Sequence, residues 1–106
     1  MPKIKVIINE DELITESTIT NDIIKYQEEN GTNTTLDLNN NTLVRENNDI
    51  YMKYDFNKKT GTLEVRELNK VLDLKINNVH IYRDEKVTEI KYNIDEEEFI
   101  YRVEVL

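Results

Sequence analysis

Apolar and polar residues change places at every second position along much of this chain. In Ile50–Phe56 the residues Ile50, Met52, Tyr54 and Phe56 fall on one face, and Tyr51, Lys53 and Asp55 on the other. Period-two alternation is the mark of a strand with one face buried. The same reading applies at the C-terminus, where Phe99, Tyr101, Val103 and Val105 oppose Arg102 and Glu104. It applies also to Val87–Ile94, with Ile90, Tyr92 and Ile94 together, and to Lys3–Asn9, with Ile4, Val6 and Ile8 together.

Shorter alternating runs lie between these, each bounded by polar turn residues. Ile23–Gln27 carries Ile24 and Tyr26, and Asn30-Gly31 follows as a hairpin signal, because both residues tolerate positive φ. Thr35–Leu38, Thr42–Glu46, Thr62–Arg66, Val71–Ile76 and Val79–Arg83 complete the set, with Asn77-Asn78 read as a tight turn between the last two. Asp11–Asp22 admits two readings: one helical turn, or a loop leading into a strand from about Ser17. The prediction is all-β, about eight to ten short strands in an antiparallel meander, since the turns are too short for parallel crossovers. A flat sheet of that many strands has two raw edges, so closure into a small β-barrel is expected, ahead of a two-sheet sandwich.

Composition adds limits. At 106 residues the chain is expected to form one domain spanning 1–106. It contains no cysteine, one histidine and one serine, which leaves almost no material for thiolate or histidine metal sites or for a serine–histidine couple. Acidic residues outnumber basic ones 22 to 14, a net charge of −8, and the basic residues are scattered, which argues against nucleic-acid binding. No apolar run is long enough to span a membrane, and Met1–Asn9 runs straight into Glu10–Glu12 without a cleavage signal, so a cytoplasmic protein is expected.

The order of segments resembles the YwiB-like family of small bacterial proteins, a domain of unknown function. The resemblance rests on Ile23–Glu28, Thr34–Leu38, the arginine, short turn and methionine-bearing strand of Leu43–Phe56, then Thr60–Glu64 and Lys91–Ile94. It implies a calycin-like (lipocalin-like) barrel and lends no established activity. The chain departs from the family in having only Thr60-Gly61 where members carry a longer loop after the methionine strand. A function served by that loop in other members is therefore absent here by this reading.

Few residues present themselves for chemistry. Asp55–Gly61 looks like a calcium loop, but Lys59 and Arg66 stand at ligand positions and its glycine is displaced, so a hairpin turn is the better reading. His80 alternates outward between Val79 and Ile81. All four arginines fall in predicted strands. Arg66 and Arg102 share faces with Glu64 and Glu104, as surface ion pairs would; Arg45 and Arg83 share faces with Leu43 and Ile81, pointing inward or to a barrel mouth. Tyr26, Tyr54, Tyr92 and Tyr101 point inward, and Tyr51 and Tyr82 outward. The proposed inward positions are large, with no glycine among them, so a filled barrel with at most a shallow mouth pocket is expected. The carboxylate pairs Glu28-Glu29, Asp84-Glu85 and Asp95–Glu98 are read as solvated turns. The candidate ligand-binding residues are thus Arg45, Arg83, Tyr54, Tyr92 and Tyr101, with no catalytic residue, metal or cofactor. The expected function is a non-enzymatic small-ligand-binding module, monomeric or weakly dimeric. The alternative is an acidic interaction module that engages a basic protein.

Overall fold

The computed structural model describes residues 1–106 and closes them into a barrel of ten antiparallel strands. In chain order these are β1 (Lys3–Ile8), β2 (Asp11–Thr20), β3 (Ile23–Gln27), β4 (Asn33–Asp37), β5 (Thr42–Glu46), β6 (Ile50–Asp55), β7 (Thr60–Val65), β8 (Lys70–Arg83), β9 (Val87–Ile94) and β10 (Glu97–Val105). Each strand pairs with its neighbours in sequence, and β1 pairs with β10 to close the cylinder, aligning Val6 with Val103 and Ile8 with Tyr101. Closure leaves neither terminal strand as a bare edge.

The open question over Asp11–Asp22 resolves as strand. β2 pairs with β1 through Asp11–Glu16 and then with β3 through Ser17–Thr20. β8 divides its pairing in the same way, with β7 through Lys70–Lys75 and with β9 from Ile76 onward. These two long strands are the corners where one half of the barrel wall turns into the other.

Within β8 lies the main correction to the predicted elements. Asn77 pairs with Asn93 and His80 with Lys91, so Asn78 and Val79 together face the single residue Tyr92. This is a β-bulge, with Asn78 at φ 52°, and the strand runs on where a turn is predicted at Asn77-Asn78. The bulge inserts one residue, so the inward set changes from even positions (Leu72, Leu74, Ile76) to odd ones (Val79, Ile81). A second correction concerns Arg66, which leaves β7 and opens a 3-10 turn over Arg66–Leu68.

Only two glycines occur, and asparagine is the residue used most often for left-handed turn conformations. Asn9, Asn21, Asn41 and Asn69 all have φ between 47° and 56°, which short polar side chains tolerate best after glycine. Asp side chains finish the turns: the Asp55 Oδ1 accepts from the backbone N–H of Asn57 and Lys58 at 3.1 and 3.0 Å. That carboxylate serves a hairpin turn.

Thirteen hydrophobic residues form the buried core, among them Ile4, Leu36, Leu43, Phe56 and Tyr101. One inward position contradicts the expectation that none is glycine. Gly61 aligns with Tyr54 on β6 and Leu74 on β8, and a Cβ there would stand 2.8 Å from Tyr54 Cδ1. The Tyr54 ring fills the space above the glycine. From there it makes edge contacts with Phe56 and Tyr92, at centroid separations of 6.2 and 5.7 Å, and Tyr92 stacks on Phe99 at 5.4 Å. Each such aromatic pair contributes about 0.5–1.5 kcal/mol beyond its buried area.

Candidate functional site

A polar cluster at one end of the barrel interior is built from β3, β4 and β5. Tyr26 on β3 aligns with Thr34 on β4, which aligns with Arg45 on β5, placing all three side chains on one inward row. Glu28, two residues beyond Tyr26, keeps the inward phase of β3. Arg45 donates from Nε to Glu28 Oε2 at 2.9 Å and from Nη2 to Oε1 at 2.6 Å, a bidentate pair, while Thr34 Oγ1 donates to Oε2 at 2.8 Å. Glu28 is thus a mostly buried ion-pair partner, its side chain 15% exposed, and this corrects its reading as a solvated turn carboxylate. Nearby, the hydroxyls of Tyr26 and Tyr101 share a buried hydrogen bond of 2.6 Å.

Burial works against the charge on Arg45, but the bonds and charge of Glu28 more than offset it, and the guanidinium pKa lies above its ordinary value. The phenols move the same way. Burial pushes Tyr26 up to about 12, raises Tyr54 and Tyr92, and holds Tyr101 well above the usual tyrosine value. Arg45 lowers all four of these phenol values to a smaller degree, so its charge is felt at each ring. At neutral pH the four hydroxyls stay protonated, those of Tyr26 and Tyr101 bonded to each other, and none is poised as a base.

A prediction follows for alkaline solution. An unfolded tyrosine releases its proton near pH 10, whereas folded Tyr26 keeps it to about pH 12. The folded state therefore binds more protons across that window, and stability falls as pH rises through it. The loss is expected at about 1.4 kcal/mol per pH unit for each such phenol. Urea midpoints measured from pH 9 to pH 12 check this, and Tyr26→Phe should flatten the slope.

A cleft of about 290 Å³ opens beside Arg45 and Glu28. Val6, Ile8 and Leu13 give it apolar walls, and Asp11 and Glu12 complete its lining. A larger depression of about 530 Å³ lies between the β3–β4 and β5–β6 turns, but it is lined wholly by polar residues such as Asn30, Asn47 and Asp49. It offers nothing apolar for a ligand to desolvate, so the smaller cleft is the better candidate.

The predicted site residues separate. Tyr92 and Tyr101 lie in the buried core with Tyr54 packed against it, and Arg45 stands on the inward row of Tyr26, which bonds Tyr101. None of Tyr54, Tyr92 and Tyr101 lines the cleft at Arg45. Arg83 does not join them, because β8 ends there on the way into the β8–β9 turn, whereas Arg45 stands near the end of β5 that leads to the β5–β6 turn. In an up-and-down barrel those turns lie at opposite ends. Arg83 is exposed and pairs with Asp22 at 3.2 Å, beside a crevice of about 100 Å³. A single mouth between the two arginines does not exist. Arg102 bonds Glu89 at 2.8 Å and Glu104 at 3.1 Å, whereas Arg66 pairs with Glu46 and not with its strand-mate Glu64.

Glu28 is the residue that sequence reasoning missed. The signal was available: Ile24, Tyr26 and Glu28 keep one phase, and the hairpin residues Asn30-Gly31 start only after it. The chain matches no protein-family model, no curated protein and no solved structure.

Proposed function

We propose that the protein is a non-enzymatic binding module that takes a small molecule into the cleft at Arg45, in the manner expected of a shortened YwiB-like, calycin-type barrel. The observation that carries this reading is the junction of an apolar wall (Val6, Ile8, Leu13) with one fixed polar pair, Glu28–Arg45, at the end of an otherwise filled barrel. Ligand sites typically join apolar walls to a few fixed polar groups, and here three apolar residues meet four charged ones. A volume of 290 Å³ sits at the lower limit of such sites, so the ligand is small. Native mass spectrometry of the protein purified from its own cells tests the reading. A retained mass that is released on denaturation supports it, and a bare polypeptide under gentle conditions overturns it.

A second reading is favoured by one separate feature. The edge of β2 over Asp11–Glu16 that faces away from β1 has no ladder partner, and beside it Glu12, Glu28 and Glu29 line a shallow acidic groove. A basic strand added there would gain both backbone bonds and charge complementarity. Binding of a lysine-rich peptide that weakens steeply with salt distinguishes this surface from the cleft.

A further inference from the structure

β8 carries an open edge. Over residues 70–75 it pairs with β7 alone, and β9 joins only from Ile76. The Ile76 N–H donates to the Lys59 carbonyl, on the β7 side, at 2.9 Å. Backbone groups alternate sides along a strand, so Leu72 and Leu74 share that direction. Val71, Asp73 and Lys75 therefore turn their N–H and C=O groups the other way. None of these three has a ladder partner on that side or enters a turn or loop bond. On the same stretch or just before it stand Leu68, Val71 and Leu72, which are 63%, 61% and 47% exposed. A bare edge flanked by apolar side chains is a template for another strand.

We propose that this edge pairs with the same edge of a second copy of the chain, joining two barrels through an antiparallel β8–β8 ladder about a two-fold axis. The strand is self-complementary in one register. An axis through Leu72 sets Leu72 opposite itself and Val71 opposite Asp73, so the open backbone groups of Val71 and Asp73 meet each other across the copies. Lysine often guards a sheet edge against such pairing. Here Lys70 falls opposite Leu74 and Lys75 opposite Asn69, and no lysine meets another. Charge points to the same stretch. Two copies that each carry −8 repel over most of their surface. Residues 53–75 hold six basic against four acidic side chains, whereas the rest of the chain holds eight against eighteen. Copies that meet at β8 meet where the acidic excess is absent.

The chain has no cysteine, so a single introduced one reports the axis. Leu72 aims its backbone groups at β7 in both copies, which makes the self-pair a non-hydrogen-bonded one. Its Cα atoms would stand about 4.5 Å apart, within reach of a disulfide. In a glutathione redox buffer, full-length Leu72→Cys should form disulfide-linked dimers at least about tenfold faster than Ile14→Cys, a more exposed position on β2. Sedimentation velocity should show a monomer–dimer equilibrium for the wild type, and Val71→Pro should raise its dissociation constant at least about tenfold. That proline removes an N–H the barrel does not use and leaves the β7 ladder its bonds. A wild type that stays monomeric up to about 1 mM overturns the proposal. So does a dimer that Val71→Pro leaves unweakened, or a Leu72→Cys that links no faster than Ile14→Cys. Should Val71→Pro not fold, the pair of cysteine variants decides alone.

Discussion

Arg45→Met is expected to destabilise the barrel by about 3 kcal/mol, read as a fall in the urea midpoint. Most of that loss comes from the partner left behind. Glu28 would keep one hydrogen bond, from Thr34, in a site where its side chain is 15% exposed, and would lose both bonds of the fork. Stranding one member of a fully buried pair costs about 3–5 kcal/mol, and the partial exposure of Arg45, 27%, puts this case at the low end. Removing both charges tells a different story. The double variant Arg45→Met, Glu28→Leu should recover most of the loss, because an apolar pair needs no solvation to be replaced. A double variant that loses the sum of the two single effects would show that the fork does not act as a unit.

Gly61→Val is the second large effect, at about 2–3 kcal/mol. The substitution favours a strand by propensity alone, since valine suits a pleated, half-buried surface better than glycine. Packing reverses the sign. The first added carbon would lie 2.8 Å from Tyr54 Cδ1, 3.1 Å from Cε1 and 3.4 Å from Leu74 Cβ. Tyr54 must leave its place over β7, and with it go the edge contacts to Phe56 and Tyr92. The measurement is a urea midpoint together with near-ultraviolet circular dichroism, which reports the tyrosine environment. A midpoint equal to or above wild type would mean that Tyr54 yields without cost.

The alternation that is plain in the sequence carried most of this architecture. The ladders around Ile50–Asp55, Val87–Ile94 and Glu97–Val105 appear where period two is cleanest. The inward tyrosines Tyr26, Tyr92 and Tyr101 follow the same phase into the core. What local pattern hides is any position where two competing meanings share one residue type. Asn77-Asn78 carries turn chemistry, but a bulge uses the same left-handed asparagine while the strand continues. Gly61 is taken for the end of a turn, and only the Tyr54 ring across the ladder explains why an inward strand position wants no side chain. Glu28 is charged and next to a hairpin, so solvation is the default reading until Arg45, 17 residues away, supplies the partner. In each case the deciding contact comes from another strand, and composition cannot announce it.

The seam between β1 and β10 has a further bearing on how the molecule comes into being. Every other ladder joins strands adjacent in the chain, so hairpins can be laid down one after another as the polypeptide leaves the ribosome. The seam alone must wait, because Ile4 finds Val105 only after translation of the final strand. Until β10 reaches β1 the sheet is an open scroll, and that one ladder shuts it.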